Sequence, residues 1–109
     1  MGNAWLGANE QLLDHCEKEL FRIVKMDPDK DLTISNVPIW QNAVNRDPEN
    51  YIHEIHVHPV RQGMPKLVII HGYCLGGAAY YRMIQYLKDY YEVYTIDLLG
   101  QGRSGRPDY

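Results

Sequence analysis

The chain has 109 residues, 45% hydrophobic and 23% charged, with a formal net charge of −3. That length allows one small domain. The apolar fraction excludes wholesale disorder, and the acidic balance argues against binding nucleic acid by phosphate neutralisation. With only Cys16 and Cys74 available, the fold cannot rest on a disulfide framework. Two free thiols fit a reducing compartment.

The opening residues, MGNAWLGANEQ, carry neither a basic segment nor an apolar one, so no secretory signal is expected. The longest apolar run, Leu67-Val68-Ile69-Ile70, is far too short to cross a bilayer. Gly2 starts a myristoylation pattern, but Leu6 stands where that pattern needs Ser or Thr. Asn9 is a candidate cap for a helix over 9–25. Leu12, Leu13, Cys16, Leu20, Phe21 and Val24 form one stripe at helical spacing, predicted to pack on the core. Glu10, Asp14, Glu17, Lys18 and Arg22 form the other face, predicted to meet solvent. Trp5 and Leu6, just ahead, are candidates for dipping into a lipid interface. Asp27-Pro28-Asp29 stops the helix.

Residues 32–34 and 39–44 look like short strands around a Ser35-Asn36-Val37-Pro38 turn, and 51–58 alternates as a strand. The pattern then changes. Residues 66–71 form a continuous apolar run, the mark of a strand buried on both faces. Gly72 to Gly77 make a glycine-rich turn, and 78–90 is helical, with Tyr80, Met83, Ile84, Leu87 and Tyr91 on one stripe. Residues 92–98 make a second buried strand. Strand, helix and strand in about 35 residues imply a βαβ unit and a parallel sheet.

Four constellations bear on chemistry. Ile70-His71-Gly72-Tyr73 ends a buried strand, the edge where ligands of open parallel sheets gather. Backbone N–H groups fixed there suit a tetrahedral oxyanion. Gly100, Gly102 and Gly105 match the spacing of a dinucleotide fingerprint, but Arg106-Pro107 cannot open the helix it requires. Gly102-Arg103-Ser104 begins a G-x-S-x-G nucleophile elbow, and Arg106 breaks it. Cys74 is a further candidate nucleophile without a base to pair with. His53-Glu54-Ile55-His56-Val57-His58 places Glu54, His56 and His58 on one strand face; that set could ligate zinc, but no fourth ligand can be named, so no metal is expected. Five of the nine tyrosines lie between 80 and 91, where they are predicted to cover a core edge with the hydroxyl at water.

The stretch KLVIIHGYCLGGAAYYRMIQYLKDYYEVYTIDLLGQGRSGRPDY resembles the N-terminal part of an α/β-hydrolase. It is most similar to the lipid-acting branch that holds lipid-droplet lipase co-activators, N-acyl-phospholipid lysophospholipases and cardiolipin deacylases. His71, Gly72, Tyr73, Asp97, Leu99, Gly100, Gly102, Ser104, Arg106 and Pro107 fill that branch's motif positions. The resemblance is strong over 66–109 and weak over 1–65. It implies an α/β fold: the N-terminal part of a hydrolase sheet, made of edge strands plus one βαβ unit and preceded by an amphipathic helix. Residues 1–30 form the helical segment, and 31–109 a partial hydrolase domain truncated before the nucleophile elbow.

By the same resemblance, the Tyr73 backbone N–H is an oxyanion-hole donor shaped by His71 and Gly72. Asp97, Gly100, Gly102 and Ser104 form the loop that supports the pocket. Cys74 departs from the family, which usually has glycine there. The triad order Ser, Asp or Glu, His puts all three catalytic residues beyond Tyr109. The chain is therefore expected to be a fragment of a serine hydrolase or acyltransferase acting on lipid carboxylic esters. The alternative is a non-catalytic interaction protein of the lipase-activator kind. No cofactor is implied. The expected partner is a lipid or ester substrate, in the cytoplasm at the periphery of a membrane or lipid droplet.

Overall fold

Four strands form the frame, and their order is not the order of the chain. The computed structural model describes residues 3–39, 48–73 and 75–107, with side chains from Glu10 onward. Helix α1 spans Asn3–Ile23, followed by strands β1 (Leu32–Pro38), β2 (Tyr51–Val57) and β3 (Lys66–Ile70). A 3₁₀ turn, Gly77–Tyr80, leads into helix α2 (Tyr81–Leu87) and strand β4 (Glu92–Ile96). The sheet order is β1-β2-β4-β3. β1 pairs antiparallel with β2 from Leu32↔Val57 to Pro38↔Tyr51. β2 pairs antiparallel with β4 through His56↔Tyr94, and β3 runs parallel to β4 from Lys66↔Glu92 to Ile70↔Ile96. The expected βαβ unit is therefore present, and its return strand slots between β2 and β3.

Strand alternation sorts the side chains. His53, Ile55 and Val57 of β2 and Val93 and Thr95 of β4 point to a covered face. Phe21, Met26, Leu32, Ile55, Val57, Ile84 and Val93 make the core there, so the N-terminal segment supplies core residues to the sheet. Val24, Ile69, Tyr81 and Leu87 pack around them.

Several expectations are corrected. Residues 32–38 form one strand rather than a strand and a turn; seven cross-strand pairs outweigh the local turn preference of Ser35-Asn36-Val37-Pro38. Pro38 is tolerated because it ends an edge strand. The helix begins at Asn3, so Asn9 lies within it rather than at its start. On α1, Leu12, Leu13 and Cys16 are exposed, while the carboxylates expected at solvent turn toward the loop after β4. On α2, Tyr81 packs on the core in place of Met83, because the first turn is 3₁₀ and shifts the helical phase. β3 is not buried on both faces: Val68 and Ile70 are 54% and 59% exposed. Among the described residues nothing covers that side. The expected strand over 39–44 and the side chains of Trp5, Leu6 and Cys74 lie outside what is described.

Candidate functional site

The C-terminal ends of β3 and β4 lie side by side, and the two loops that leave them are fastened to each other. Asp97, buried just past β4, is the fastener. Its Oδ1 accepts the Gly77 N–H at 2.6 Å and its Oδ2 accepts the Arg103 N–H at 2.8 Å. One carboxylate thus holds the turn after β3 and the loop after β4. Charge-assisted bonds of this kind are about twice as strong as neutral ones. Three glycines make the approach feasible. A Cβ at Gly77 would lie 2.3 Å from Thr95 Oγ1, and one at Gly102 would lie 2.4 Å from Asp97 Oδ2. Gly102 also has φ +53°, a conformation that L side chains rarely adopt. A Cβ at Gly105 would strike the Glu49 carbonyl.

His71 makes a second link. Its Nε2 accepts the Leu98 N–H at 2.9 Å, so its Nδ1 carries the proton and donates to the Gly72 carbonyl at 2.7 Å. The imidazole is buried and its two polar atoms are committed to backbone. It shapes the turn rather than facing a reactant.

Ser104 is fully buried and saturated. Its hydroxyl accepts the His53 N–H at 2.9 Å and donates to the Asp97 carbonyl. A serine so placed staples the loop to β2 and β4; among the described residues it has no base beside it, and its side chain is closed off from solvent. His53 continues the network inward. Its Nε2–H donates to Glu17 Oε1 at 2.8 Å, and its Nδ1 lies 2.7 Å from the Asn36 side-chain amide. Glu17 in turn accepts Arg103 Nη1 at 3.0 Å; Asp14 and Glu10 each lie 3.4 Å from the same guanidinium. Burial alone would push the Arg103 pKa down, but Glu17, Glu10 and Asp14 outweigh it and push it up. Arg103 stays charged. For Asp14, burial acts to raise the pKa, and Lys18 and Arg103 outweigh it, holding the carboxyl below its usual value.

Tyr73 stands apart. Its side chain is 90% exposed, and its backbone N–H makes no hydrogen bond among the described residues. An open cleft of about 550 Å³ lies between the loops, bounded by Leu75, Gly76, Gly100, Gln101, Gly102 and Arg106.

The sequence motifs therefore come together in space: His71 and Gly72 from one loop, Asp97, Gly100, Gly102 and Ser104 from the other. Motif reading missed Gly77, Arg103, Glu17 and His53. The adjacent pair Gly76-Gly77 was the one visible signal for the close approach. Gly72, in contrast, does not have a positive φ, and a Cβ there would meet open space. The glycine triplet 100, 102 and 105 does not open a helix, and the Arg103 N–H points inward at Asp97. The histidine-rich strand divides. His56 stacks on Tyr94 at 4.3 Å and its ring bonds Glu92, whereas His58 bonds Thr33 and the Lys30 carbonyl. Among the described residues no group of three side chains is arranged to hold a metal ion.

Residues 65–109 match the family profile described as alpha/beta hydrolase fold. The fold is that of an α/β-hydrolase. Two crystal structures align with it over almost the whole chain: a membrane phospholipase A described as a bacterial virulence factor (TM-score 0.57, 22% identity, 90% of this chain and 26% of that one), and a candidate lipase of Acinetobacter baumannii (TM-score 0.53, 18% identity, 92% and 27%). At such identities they speak to fold alone. An Arabidopsis thaliana protein, 1-acylglycerol-3-phosphate O-acyltransferase, is 27% identical over 96% of this chain. The chain spans about a quarter of the length of that relative and of both structures.

Proposed function

We propose that this α/β-hydrolase segment supplies the oxyanion-binding half of a site that cleaves or transfers the acyl group of a lipid carboxylic ester. The serine, acid and histidine are supplied from outside these 109 residues. The chemistry is serine attack on the ester carbonyl, with the carbonyl oxygen becoming an oxyanion as the tetrahedral centre forms. The Tyr73 N–H would receive that charge. The supporting observation is that no described residue accepts the Tyr73 N–H, which lies in the turn that follows β3, a turn that Asp97 ties to the loop after β4. A donor fixed before the reaction needs no reorganisation during it. The lipid character of the substrate rests on the Arabidopsis thaliana relative, whose name is that of an acyltransferase acting on an acylglycerol phosphate. This reading places the protein at a lipid surface; among the described residues no helix is long and apolar enough to cross a membrane.

The test has two arms. The 109-residue chain should turn over p-nitrophenyl butyrate no faster than its Ser104→Ala variant; activity abolished by that change would overturn the reading. In the longer protein that joins this chain to the nucleophile, Tyr73→Phe keeps the N–H and should leave kcat nearly intact. Tyr73→Pro removes the N–H and should lower kcat by roughly 10²–10³, with thermal melting confirming that the fold survives. Equal activity in both variants would remove Tyr73 from the site.

A further inference from the structure

The opposite end of the sheet carries a second hollow, of about 400 Å³, unconnected with the oxyanion loops. Its rim holds Lys25, Lys30 and Lys88; Met26 and Val57 form its floor, and Val60 one wall. Volumes from about 300 Å³ upward are those of small-molecule sites. The chain is acidic overall, so three ammonium groups around one hollow do not follow from composition.

The neighbouring acids offset it only in part. Asp31 borders the hollow and keeps its charge while accepting the Asp27 N–H at 2.7 Å, which leaves three lysines against one carboxylate among the described lining residues. Asp89 shares Lys88 alone, at 3.3 Å. Lys25 and Lys30 make no ion pair among the described residues.

Both are held rigidly at the backbone. The 27–31 turn is closed by Asp31 N–H to the Asp27 carbonyl at 2.7 Å. It is tied to the end of β2 by the His58 N–H to the Asp31 carbonyl and by His58 Nδ1–H to the Lys30 carbonyl, each at 2.9 Å. Lys25 is more telling. Met26 N–H bonds the Phe21 carbonyl and Lys25 N–H bonds the Arg22 carbonyl, which is a Schellman ending of α1. Lys25 sits at its left-handed position, with φ +63°. Glycine or asparagine is the usual occupant there, and a lysine is strained. The lysine is unfavourable for the fold at a position that borders the hollow.

We propose that this hollow binds a phosphate monoester, free or at the head of a lipid. Lysine binds phosphate as a compact point charge, and three of them suit a dianion. The apolar floor and wall suit the carbon chain of the ester.

The 109-residue chain is titrated with glycerol 3-phosphate at constant ionic strength, with chloride as the control anion. Sedimentation with phosphatidylcholine vesicles, with and without phosphatidic acid, distinguishes the sources. Saturable glycerol 3-phosphate binding, without vesicle binding, supports a soluble ester. Binding to phosphatidic acid vesicles that glycerol 3-phosphate displaces supports a lipid head. Lys25→Gly should raise the melting temperature, since glycine suits the turn, yet weaken binding roughly tenfold by removing a charged contact. Lys30→Gln should weaken binding similarly at unchanged melting temperature. No saturable binding to either probe, or binding that chloride matches or that survives both substitutions, overturns the proposal.

Discussion

At the scale of single residues, two glycines of the turn after β3, Gly72 and Gly77, behave oppositely. Gly77 lies under Asp97 and against Thr95; an added Cβ would overlap both the hydroxyl and the Cβ of Thr95. Overpacking of this kind typically costs about 1–3 kcal/mol, and here it would also push the Gly77 N–H off the Asp97 carboxylate. Gly72 is exposed, without a positive φ, and a Cβ there would touch nothing. We expect Gly77→Ala to lower the urea midpoint clearly and Gly72→Ala to leave it within about 0.5 kcal/mol. Comparable losses in the two variants would mean that the fastening by Asp97 is misassigned. The motifs around His71 and Asp97 were legible because they are local strings. The identity of the critical glycine was not, since it depends on which backbone a carboxylate 20 residues away reaches.

At the scale of elements, α1 is attached by charge as much as by apolar packing. Glu10, Asp14 and Glu17 recur at helical spacing, so the sequence shows them as a face. Nothing local reveals that this face is inward, because its partner, Arg103, lies 86 to 93 residues away. The stripe of Leu12, Leu13 and Cys16 reads as apolar and core-facing, yet it stays exposed, while among the described side chains of that helix only Phe21 is fully buried. Removing one partner of a buried ion pair typically costs about 3–5 kcal/mol. Glu17 keeps His53, so Arg103→Ala should fall at the low end of that range, with faster hydrogen exchange along α1 as the local readout. The acid limb should move too. Asp14 titrates below its unfolded value because of Lys18 and Arg103. Its contribution is present above the unfolded carboxylate pKa and is lost as the pH falls through the lower folded one. Without Arg103 the folded pKa rises toward the unfolded one, and the drop in stability on acidification should become shallower there. An acid limb identical in the two proteins would show that Arg103 does not act on Asp14.

At the scale of the whole molecule, the four-stranded sheet is covered on one face by α1 and α2 and uncovered on the other by any described residue. β3 is an edge strand that reads as an interior one. Lys66-Leu67-Val68-Ile69-Ile70 lacks the alternation of a half-exposed strand, and its composition accordingly predicted burial on both faces. The structure instead leaves Val68 and Ile70 more than half exposed. No strand among the described residues pairs with the outer edge of β3. An apolar edge whose one charge, Lys66, stands at its start invites pairing with another strand, and small chains have little reserve stability against it. The 109-residue chain should therefore associate as its concentration rises. Val68→Lys is the diagnostic change. Position 68 points away from the core formed by Val93 and Ile55, and a lysine there places charge on the exposed edge in the way natural sheets protect theirs. Sedimentation equilibrium should show the wild-type average mass climbing with concentration and that of Val68→Lys staying at one chain, with denaturation midpoints within about 0.5 kcal/mol of each other. If the wild type remains monomeric over the whole range, the open edge is protected by residues outside those described. If Val68→Lys associates equally, the contact lies elsewhere, and the exposed flank of α1 with Leu12, Leu13 and Ile23 is the next surface to charge.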